Sequence, residues 1–389
     1  MSEGLTVVVA PLLSLIADQV ESLGRRNVRA LHLTSTQPPA ETSAVYAELA
    51  RTPPSAKLLY VTPERLQQSV HLHNCLERLH SRGQLERFVI DEAHCVISWG
   101  RDFRPDYLAL GQLRRQYGGV PWSMLSATLP PPIRHELLDA LNVERATVVA
   151  VEAPLDRTNL RYEVWPKLSP LAAADQLAEV LLGNGGAGCS IVYCHSQREA
   201  ERVCEWLQMR GVAAAFYHAA VEHEVKTLHH QQWLRGEVQV MVATSAFGMG
   251  VHKGDVRLVL HWTIPDSILN LYQEWGRAGR DGEPARCVLL YTYRDKGRVE
   301  SLLRRSPRDL KARLARLLEL VELCEEPKAC RRARMLRALG QQDVPTTCTS
   351  GCDNCAAPSD SLTFEDVTVQ AATAVSHGAH CLRPQPLVL

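Results

Sequence analysis

The sequence predicts an α/β protein of two parallel-sheet lobes followed by a smaller helical element. Short apolar runs recur along the chain, and each precedes a polar turn and a longer stretch of helical periodicity, which is typical of βαβ units. The runs form two groups, at residues 7–9, 58–61, 88–90 and 123–125, and at residues 191–193, 240–242, 258–260 and 288–290. A chain of 389 residues also exceeds the size of one compact core. We therefore expect two α/β lobes, joined near residues 148–162.

Composition and charge limit the classes of protein that fit. Apolar residues make up 46% of the chain and charged residues 22%, so the chain can bury a core. The 43 basic and 43 acidic residues cancel, so attraction to nucleic acid must come from local basic patches. No apolar run approaches the roughly 20 residues that span a bilayer. We expect a soluble intracellular protein without membrane contacts, whose cysteines form no disulfide scaffold.

The sequence pattern changes after the second lobe. Apolar residues then recur at helical spacing, at Leu310, Leu314, Leu317, Leu318 and Val321. After Cys355 the sequence shows no convincing period. We divide the chain into a first lobe at residues 1–150, a second lobe at residues 151–305, a helical module at residues 306–358 and a poorly ordered tail at residues 359–389.

Paired acids follow an apolar strand of the first lobe. Asp91-Glu92-Ala93-His94 comes directly after the run at residues 88–90, so its carboxylates emerge at the carboxyl end of a strand, where α/β proteins bind ligands. In phosphoryl transfer such an Asp helps to hold Mg²⁺ on the phosphates, and a neighbouring carboxylate orients the attacking water. Asp91 and Glu92 suit these two roles. A solvated acidic turn is the alternative that this tetrapeptide alone leaves open.

A ten-residue string in the second lobe supplies the opposite charge. In residues 273–282 two arginines, Arg277 and Arg280, lie three positions apart on one helical face, and glycines allow close backbone approach. A guanidinium offers planar, bidentate donors that stabilise the charge developing on a transferred phosphoryl group. The alternative is a surface helix with ion pairs.

Four cysteines near the C-terminus have the spacing of a metal site. Cys330, Cys348, Cys352 and Cys355 are separated by seventeen, three and two residues, which can close a tetrahedral zinc site. Free thiols are the alternative. Between residues 301 and 338 eleven basic residues face five acidic ones. Of these, Arg331, Arg332, Arg334 and Arg337 either follow a DNA backbone or form a solvated helix face.

Taken together, these strings resemble the RecQ-type helicases of helicase superfamily two. Residues 9–20 resemble motif Ia, 61–65 motif Ib, 91–94 motif II, 126–128 motif III, 191–194 motif IV, 243–251 motif V and 273–282 motif VI. The resemblance covers residues 5–358. RecQ proteins carry a similar Cys-Arg-Arg helix and Cys-Asp-Asn-Cys loop, so the resemblance favours Cys330 over the nearby Cys324 as a zinc ligand.

The resemblance implies two RecA-like lobes with a zinc module, and an ATP-dependent DNA helicase of 3′-to-5′ polarity. It implies roles in DNA repair, recombination or replication, in the nucleus of a eukaryote, on single-stranded and forked or junction DNA. The implied cofactors are ATP, Mg²⁺ and Zn²⁺. The implied nucleotide contacts are Asp91, Glu92, His94, Gly250, Gln273, Arg277 and Arg280, and the implied DNA contacts are Ser14, Trp99, Phe103, Arg104, Thr128 and Thr244. From composition alone, Trp99 and Phe103 would instead fill a core.

The phosphate-binding loop of such enzymes is not found in the sequence. It needs Gly-Lys-Ser/Thr, and no Gly-Lys pair occurs. In RecQ proteins this loop precedes motif Ia, so we expect an incomplete first lobe, an N-terminal truncation of an active enzyme, and weak ATP binding and turnover. Two further alternatives are a non-catalytic DNA-binding or regulatory fragment and an RNA-unwinding relative.

Overall fold

The computed structural model describes residues 4–35, 37–98, 105–183, 188–248, 251, 253–305, 309–348, 351–357, 368–369 and 372–373. Apart from four positions, the tail predicted at residues 359–389 therefore lies outside the described residues. Within the described ranges, none of the helices combines the length and apolar character needed to cross a bilayer.

The first lobe is built on a parallel sheet. Its strands in the described residues are β1 (Leu5–Val9), β2 (Ala30–Leu33), β3 (Leu58–Val61), β4 (Leu85–Ile90) and β5 (Trp122–Met124), in the order β2-β3-β1-β4-β5. Around it lie α1 (Leu13–Arg25), α2 (Pro39–Leu49), α3 (Pro63–Gln68), α4 (Val70–Ser81), α5 (Cys95–Ser98), α6 (Leu110–Gln116) and α7 (Pro131–Ala140). Side chains of β1 alternate between two cores: Val7 and Val9 pack with β3 and β4, whereas Val8 packs with Ile16 of α1.

The second lobe repeats this architecture with a wider parallel sheet. Its described strands are β6 (Leu160–Pro166), β7 (Cys189–Tyr193), β8 (Ala214–Tyr217), β9 (Val240–Ala243), β10 (Val256–His261) and β11 (Ala285–Tyr291), in the order β6-β11-β10-β7-β9-β8. The helices are α8 (Pro170–Gly183), α9 (Gln197–Gln208), α10 (His223–Arg235), α11 (Ile268–Trp275) and α12 (Tyr293–Leu303). The strand β6 begins inside the segment predicted to join the lobes, so the joint is shorter than expected.

A helical module packs on the second lobe. It contains α13 (Leu310–Glu325), α14 (Arg331–Ala338) and α15 (Asp353–Ala356). Leu317, Leu320 and Val321 of α13 share one buried core with Trp275 of α11. The predicted α/β fold with a C-terminal helical region is confirmed.

Both sequence-based interpretations of Arg331 and Arg332 are wrong. Arg331 is 7% and Arg332 4% exposed, so neither lies on a solvated face nor meets a DNA backbone in this structure. The Nε of Arg331 donates to Asp353 at 2.5 Å, and Arg332 forms an ion pair with Asp156. Burial is tolerated because both guanidinium groups are paired and hydrogen-bonded.

Candidate functional site

The acidic motif forms a tight turn at the carboxyl end of β4. Glu92 has a φ of +49°, in the left-handed region that residues with a Cβ adopt at a cost of about 1 kcal/mol or more. The Asp91 carboxylate accepts hydrogen bonds from the Glu92 backbone N–H at 3.0 Å and from Nε2 of Gln19, on α1, at 2.9 Å. Gln19 thus orients the predicted magnesium ligand. In the sequence, Gln19 is distinguished only by its position within motif Ia.

The electrostatic environment of Glu92 comes from both lobes. Burial raises the pKa of Glu92, and the nearby Asp91 raises it further. Arg277 and Arg280 of the second lobe lower the pKa of Glu92 by their positive charge, and both line the same cleft as Glu92. A carboxylate with a raised pKa is a better proton acceptor than an ordinary glutamate, which suits the orientation of an attacking water.

We expect replacement of Glu92 by glutamine to stabilise the fold at neutral pH. Folding raises the pKa of Glu92, so the folded state binds its proton more tightly and stability falls as the pH rises between the unfolded and folded pKa values. Glutamine avoids this cost, so Glu92→Gln should raise the Tm at pH 7.5 by roughly 1–3 °C. The gain should become small near pH 4, where the carboxyl is largely protonated in both states.

Thermal unfolding followed by circular dichroism at both pH values checks this expectation. Glu21→Gln is the matched control, because the Glu21 side chain is 65% exposed and forms an ion pair with Arg25 on the same helix, α1. An unchanged or lower Tm for Glu92→Gln at pH 7.5 would contradict the electrostatic assignment.

His94 connects the acidic motif to motif III. Its Nδ1 lies 3.1 Å from Oγ of Ser126 and 3.3 Å from Oε2 of Glu92. Burial lowers the pKa of His94, although the negative charge of Asp91 acts in the opposite direction. Because the net effect is a lower pKa, the ring is mainly neutral at pH 7. The Oγ of Ser126 in turn donates to the backbone carbonyl of Thr128 at 2.8 Å.

A direct hydrogen bond joins the two lobes at this point. Nε2 of Gln273, on α11, donates to Oγ1 of Thr128 at 2.7 Å. Motif III of the first lobe and motif VI of the second are therefore in contact. Thr128 is only 2% exposed, and its hydroxyl is engaged with the other lobe in this conformation. Its role in DNA binding stays a prediction.

The two motif VI arginines have different environments. Ser267 caps α11, and a turn after Trp275 carries both arginines. Arg277 is 9% exposed and donates from Nη1 to the Gly248 carbonyl of motif V at 2.5 Å. Arg280 is exposed and donates from Nη1 to the carbonyl of Val251 at 2.9 Å. Desolvation and the neighbouring Arg277 lower the pKa of Arg280 to about 10, so it remains charged at pH 7.

These groups line one cleft between the lobes. The cleft encloses about 2400 Å³, and Glu92, Gln273, Arg277 and Arg280 all lie on its wall. A triphosphate needs cations from one side and carboxylates from the other; Glu92 supplies a carboxylate to the wall of the cleft, and Asp91, the predicted magnesium ligand, directly precedes it in the chain. The geometry therefore fits a nucleotide with its magnesium ion.

The remaining predicted DNA and nucleotide contacts are only partly described. Thr244 lies at the end of β9, where its backbone N–H donates to the carbonyl of Tyr217 at 3.2 Å. Ser14 belongs to α1, but its side chain is not described. Trp99, Phe103, Arg104 and Gly250 lie outside the described residues.

The four predicted cysteines come together as a group. The Sγ atoms of Cys330, Cys348, Cys352 and Cys355 all lie within 4.8 Å of one another. A tetrahedral site with Zn–S bonds of about 2.3 Å separates its sulfurs by roughly 3.8 Å, so this cluster fits zinc with small adjustments. Cys324 does not belong to the cluster, which confirms the choice of Cys330.

Polar side chains hold the two halves of the zinc site together. The Cys352 backbone N–H donates to Sγ of Cys348 at 3.1 Å. Nδ2 of Asn354 donates to the carbonyls of Glu326 and Ala329, at 2.8 and 2.9 Å, on the segment before Cys330. Asp353 accepts from the backbone N–H of Val164 at 2.8 Å, which ties the loop to β6. Burial raises the pKa of the Cys330 thiol, so metal binding should release its proton.

Three protein families match successive parts of the chain. Residues 1–135 match the DEAD/DEAH box helicases, and residues 172–282 match the helicase conserved C-terminal domain. Residues 293–356 match the RecQ zinc-binding family. The matched regions contain the acidic motif, the arginine motif and the four cysteines.

Curated relatives align over almost the whole chain. "ATP-dependent DNA helicase Q-like 4B" of Arabidopsis thaliana is 38% identical over 96% of this chain and 34% of its own length. "RecQ-like DNA helicase BLM" of Xenopus laevis is 38% identical over 91% of this chain and 26% of its own length. "ATP-dependent DNA helicase Q5" of Rattus norvegicus is 39% identical over 92% of this chain and 38% of its own length. The chain thus spans about a quarter to two fifths of these relatives.

Solved structures share the fold. The Mycobacterium smegmatis helicase Lhr bound to single-stranded DNA and AMP-PNP has a TM-score of 0.57 at 22% identity, covering 78% of this chain and 42% of its own. The DUF1998 helicase MrfA bound to DNA and AMPPNP has a TM-score of 0.57 at 16% identity, covering 86% of this chain and 48% of its own. The RecQ zinc-binding match, the four-cysteine cluster and the identity to RecQ-like helicases make the chain similar to RecQ-family helicases over almost its whole length.

Proposed function

We propose that the chain forms the motor of an ATP-dependent DNA helicase that moves 3′-to-5′ on single-stranded DNA and unwinds forked or junction DNA. One observation carries this proposal: Glu92 of the first lobe and the arginines Arg277 and Arg280 of the second lobe face a single cleft. Such an arrangement can couple lobe closure to phosphoryl transfer, because neither lobe supplies both sets of groups.

Each charged group has a distinct role in this proposal. Bound Mg²⁺-ATP supplies the phosphoanhydride that is broken. Asp91, oriented by Gln19, would hold the magnesium ion, and Glu92 would orient the attacking water and accept its proton. Arg280 reaches the cleft and would stabilise the developing negative charge, while Arg277 holds motif V through Gly248.

The zinc module and the DNA contacts complete the proposal. The four cysteines would bind zinc structurally, because all four positions of a tetrahedral ion are taken by thiolates. Thr128 and Thr244 would follow the DNA backbone as the lobes open and close. We also propose the divisions of the chain at residues 150, 305 and 358, and action on chromosomal DNA, in the nucleus of a eukaryote.

The 389 residues by themselves should bind and hydrolyse ATP weakly. They contain no Gly-Lys pair, so no phosphate-binding loop within them supplies backbone N–H groups and a lysine to the phosphates. This feature also favours the second candidate function, a non-catalytic DNA-binding or regulatory polypeptide. The two candidates differ in what happens when such a loop is supplied.

ATP hydrolysis should be measured for residues 1–389 and for the same residues joined to the strand, Gly-Lys-Ser loop and helix of a RecQ relative. We expect single-stranded DNA to stimulate the joined chain at least about a hundredfold over residues 1–389. Glu92→Gln in the joined chain should abolish this stimulation while sparing DNA binding. Persistent hydrolysis would refute the role of Glu92. A joined chain that binds DNA without hydrolysing ATP would favour the non-catalytic function, and equal stimulation by RNA would indicate an RNA motor.

A further inference from the structure

The segment of residues 155–160 lies between the motif VI turn and the zinc module. We call it the bridging segment, and we call residues 276–283 the motif VI turn. The last residue of the bridging segment, Leu160, is the first residue of β6. Its first residue already contacts motif VI, because the Leu155 carbonyl accepts a hydrogen bond from the Tyr272 hydroxyl at 2.5 Å. Its other side-chain hydrogen bonds to the motif VI turn and the zinc module involve charged or amide side chains.

On one side, the bridging segment binds backbone carbonyls of the motif VI turn. Nη1 of Arg157 donates to the Gly276 carbonyl at 3.0 Å, and Nη2 donates to the Gly279 carbonyl at 2.5 Å. Nδ2 of Asn159 donates to the carbonyls of Gly279 and Glu283, both at 2.9 Å. One guanidinium thus binds the peptide group that precedes Arg277 and the peptide group that precedes Arg280, and the fixed fork of its N–H donors suits this spacing.

The backbone of the turn itself requires this close approach. Gly279 has a φ of +53°, and a Cβ at this position would lie 2.5 Å from Nδ2 of Asn159. The Gly279 backbone N–H donates a hydrogen bond to the Val256 carbonyl at 2.9 Å. The turn is therefore held on one side by β10 of the sheet and on the other by Arg157 and Asn159. Arg280 directly follows Gly279 within this turn.

On its other side, the bridging segment is held by α14. The Arg332 guanidinium forms an ion pair with Asp156 and donates to the carbonyls of Arg157, at 2.8 Å, and Leu160. Its carbon Cζ lies 4.8 Å from the ring centre of Tyr162, which stacks on Trp275 of α11 at 5.2 Å. Because Arg332 is 4% exposed, its charge depends on Asp156 for compensation.

The position of Arg332 depends in turn on the four cysteines. Cys330 is the N-cap of α14, two residues before Arg332, and its sulfur accepts a hydrogen bond from the Ala333 N–H at 3.5 Å. Arg331 pairs with Asp353, inside the loop that carries Cys352 and Cys355. A metal ion held by these thiolates would fix the start of α14 and this loop relative to each other.

From these contacts we infer that Arg157 is a positioning residue for Arg277 and Arg280, and that the Arg332–Asp156 pair makes this positioning depend on the zinc module. The contacts run without a gap from Cys330 through Arg332, Asp156 and Arg157 to the motif VI turn. The positioning itself does not depend on the proposed function. Only its consequence does, namely that the positioned arginines contact a bound nucleotide.

Hydrogen–deuterium exchange of the whole chain tests the positioning directly. The amide hydrogens of Ala278, Gly279 and Gly282 are hydrogen-bonded in the turn, so their exchange reports its opening. Arg157→Gln should speed exchange in the peptide covering residues 276–283 by about tenfold or more. Arg161→Gln is the matched control, because Arg161 lies on β6, is half exposed and pairs with Glu163. Equal exchange in the two variants would overturn the inference.

A rescue experiment separates positioning from general stabilisation. Arg157→Ala leaves the carbonyls of Gly276 and Gly279 without their shared donor, and millimolar guanidinium ion should restore slow exchange in the turn. Arg157→Lys should restore it only in part, because an ammonium is a point charge that does not span both carbonyls. Full rescue by lysine, or no effect of guanidinium, would contradict a positioning role.

Zinc extraction tests the second half of the inference. Removal of zinc with a chelator should speed exchange in the motif VI turn as well as in α14. In Asp156→Asn exchange should already be fast, and zinc removal should add at most a small further increase, because the coupling is broken. If zinc removal changes only the peptides of the zinc module, the coupling is refuted. These readouts need no nucleotide, so they remain decisive even if hydrolysis is never observed.

Discussion

Replacement of Cys352 by serine should release zinc and unfold the helical module. Cys352 is fully buried, and its sulfur lies with those of Cys330, Cys348 and Cys355. Metal binding to four thiolates contributes on the order of 10 kcal/mol in small zinc modules, and loss of one ligand forfeits much of it. We expect bound zinc to fall from one equivalent to a small fraction, and α14 to become accessible to protease.

Cys324→Ser is the matched control for this experiment. Cys324 is another buried cysteine of the same module, on α13, but it lies outside the four-cysteine cluster. Its replacement should cost only about 1–2 kcal/mol and should leave one zinc ion per chain. Zinc content is measured by a colorimetric chelator after denaturation, and protection by limited proteolysis. Loss of zinc from Cys324→Ser with retention in Cys352→Ser would show that the ligand set is wrong.

The apolar runs in the sequence correctly predicted the inner strands of both sheets, but three edge strands contain no such run and were not predicted. β2, β6 and β8 are all terminal strands of their sheets. A central parallel strand is covered on both faces and becomes a continuous apolar run, as in β7, which is buried throughout. An edge strand has no such requirement: β6 contains Arg161 and Glu163, and β8 begins with two alanines of low strand preference. Apolar runs alone therefore underestimate the width of each sheet.

The local sequence also indicated the candidate site residues better than it indicated the residues that hold them in position. The placement of Asp91, Glu92, Arg277 and Arg280 at a strand end and after a helix could be predicted, because each lies in a motif whose position is encoded in the neighbouring residues; their catalytic roles stay a prediction. The partners of Arg331 and Arg332 could not be predicted, since Asp156 is 176 residues from Arg332 in the chain. A basic cluster looks the same in sequence whether its charges meet solvent, DNA or buried carboxylates. The same holds for Arg157, whose acceptors are backbone carbonyls.

Replacement of Arg280 by alanine should separate catalysis from stability. The Arg280 side chain lines the cleft and is more exposed than that of Arg277, so its loss should lower the Tm less than the loss of Arg277, although it removes the hydrogen bond to the Val251 carbonyl. If it stabilises the transferred phosphoryl group, its loss should lower DNA-stimulated hydrolysis by a factor of roughly a thousand. The measurement uses the chain joined to a Gly-Lys-Ser loop. Arg304→Ala is the control, because Arg304 is an exposed arginine of the same lobe that pairs with Glu300.

Arg277→Ala should behave differently, because its guanidinium is buried. It donates to the Gly248 carbonyl, and its removal leaves that acceptor unsatisfied at a cost of about 1–3 kcal/mol. Hydrolysis should fall as for Arg280→Ala, but the Tm should also fall, and motif V should lose protection from hydrogen exchange. If Arg280→Ala instead retains full hydrolysis while Arg277→Ala loses it, then the exposed arginine is not the group that meets the phosphates. The assignment of the two roles by burial would then be reversed.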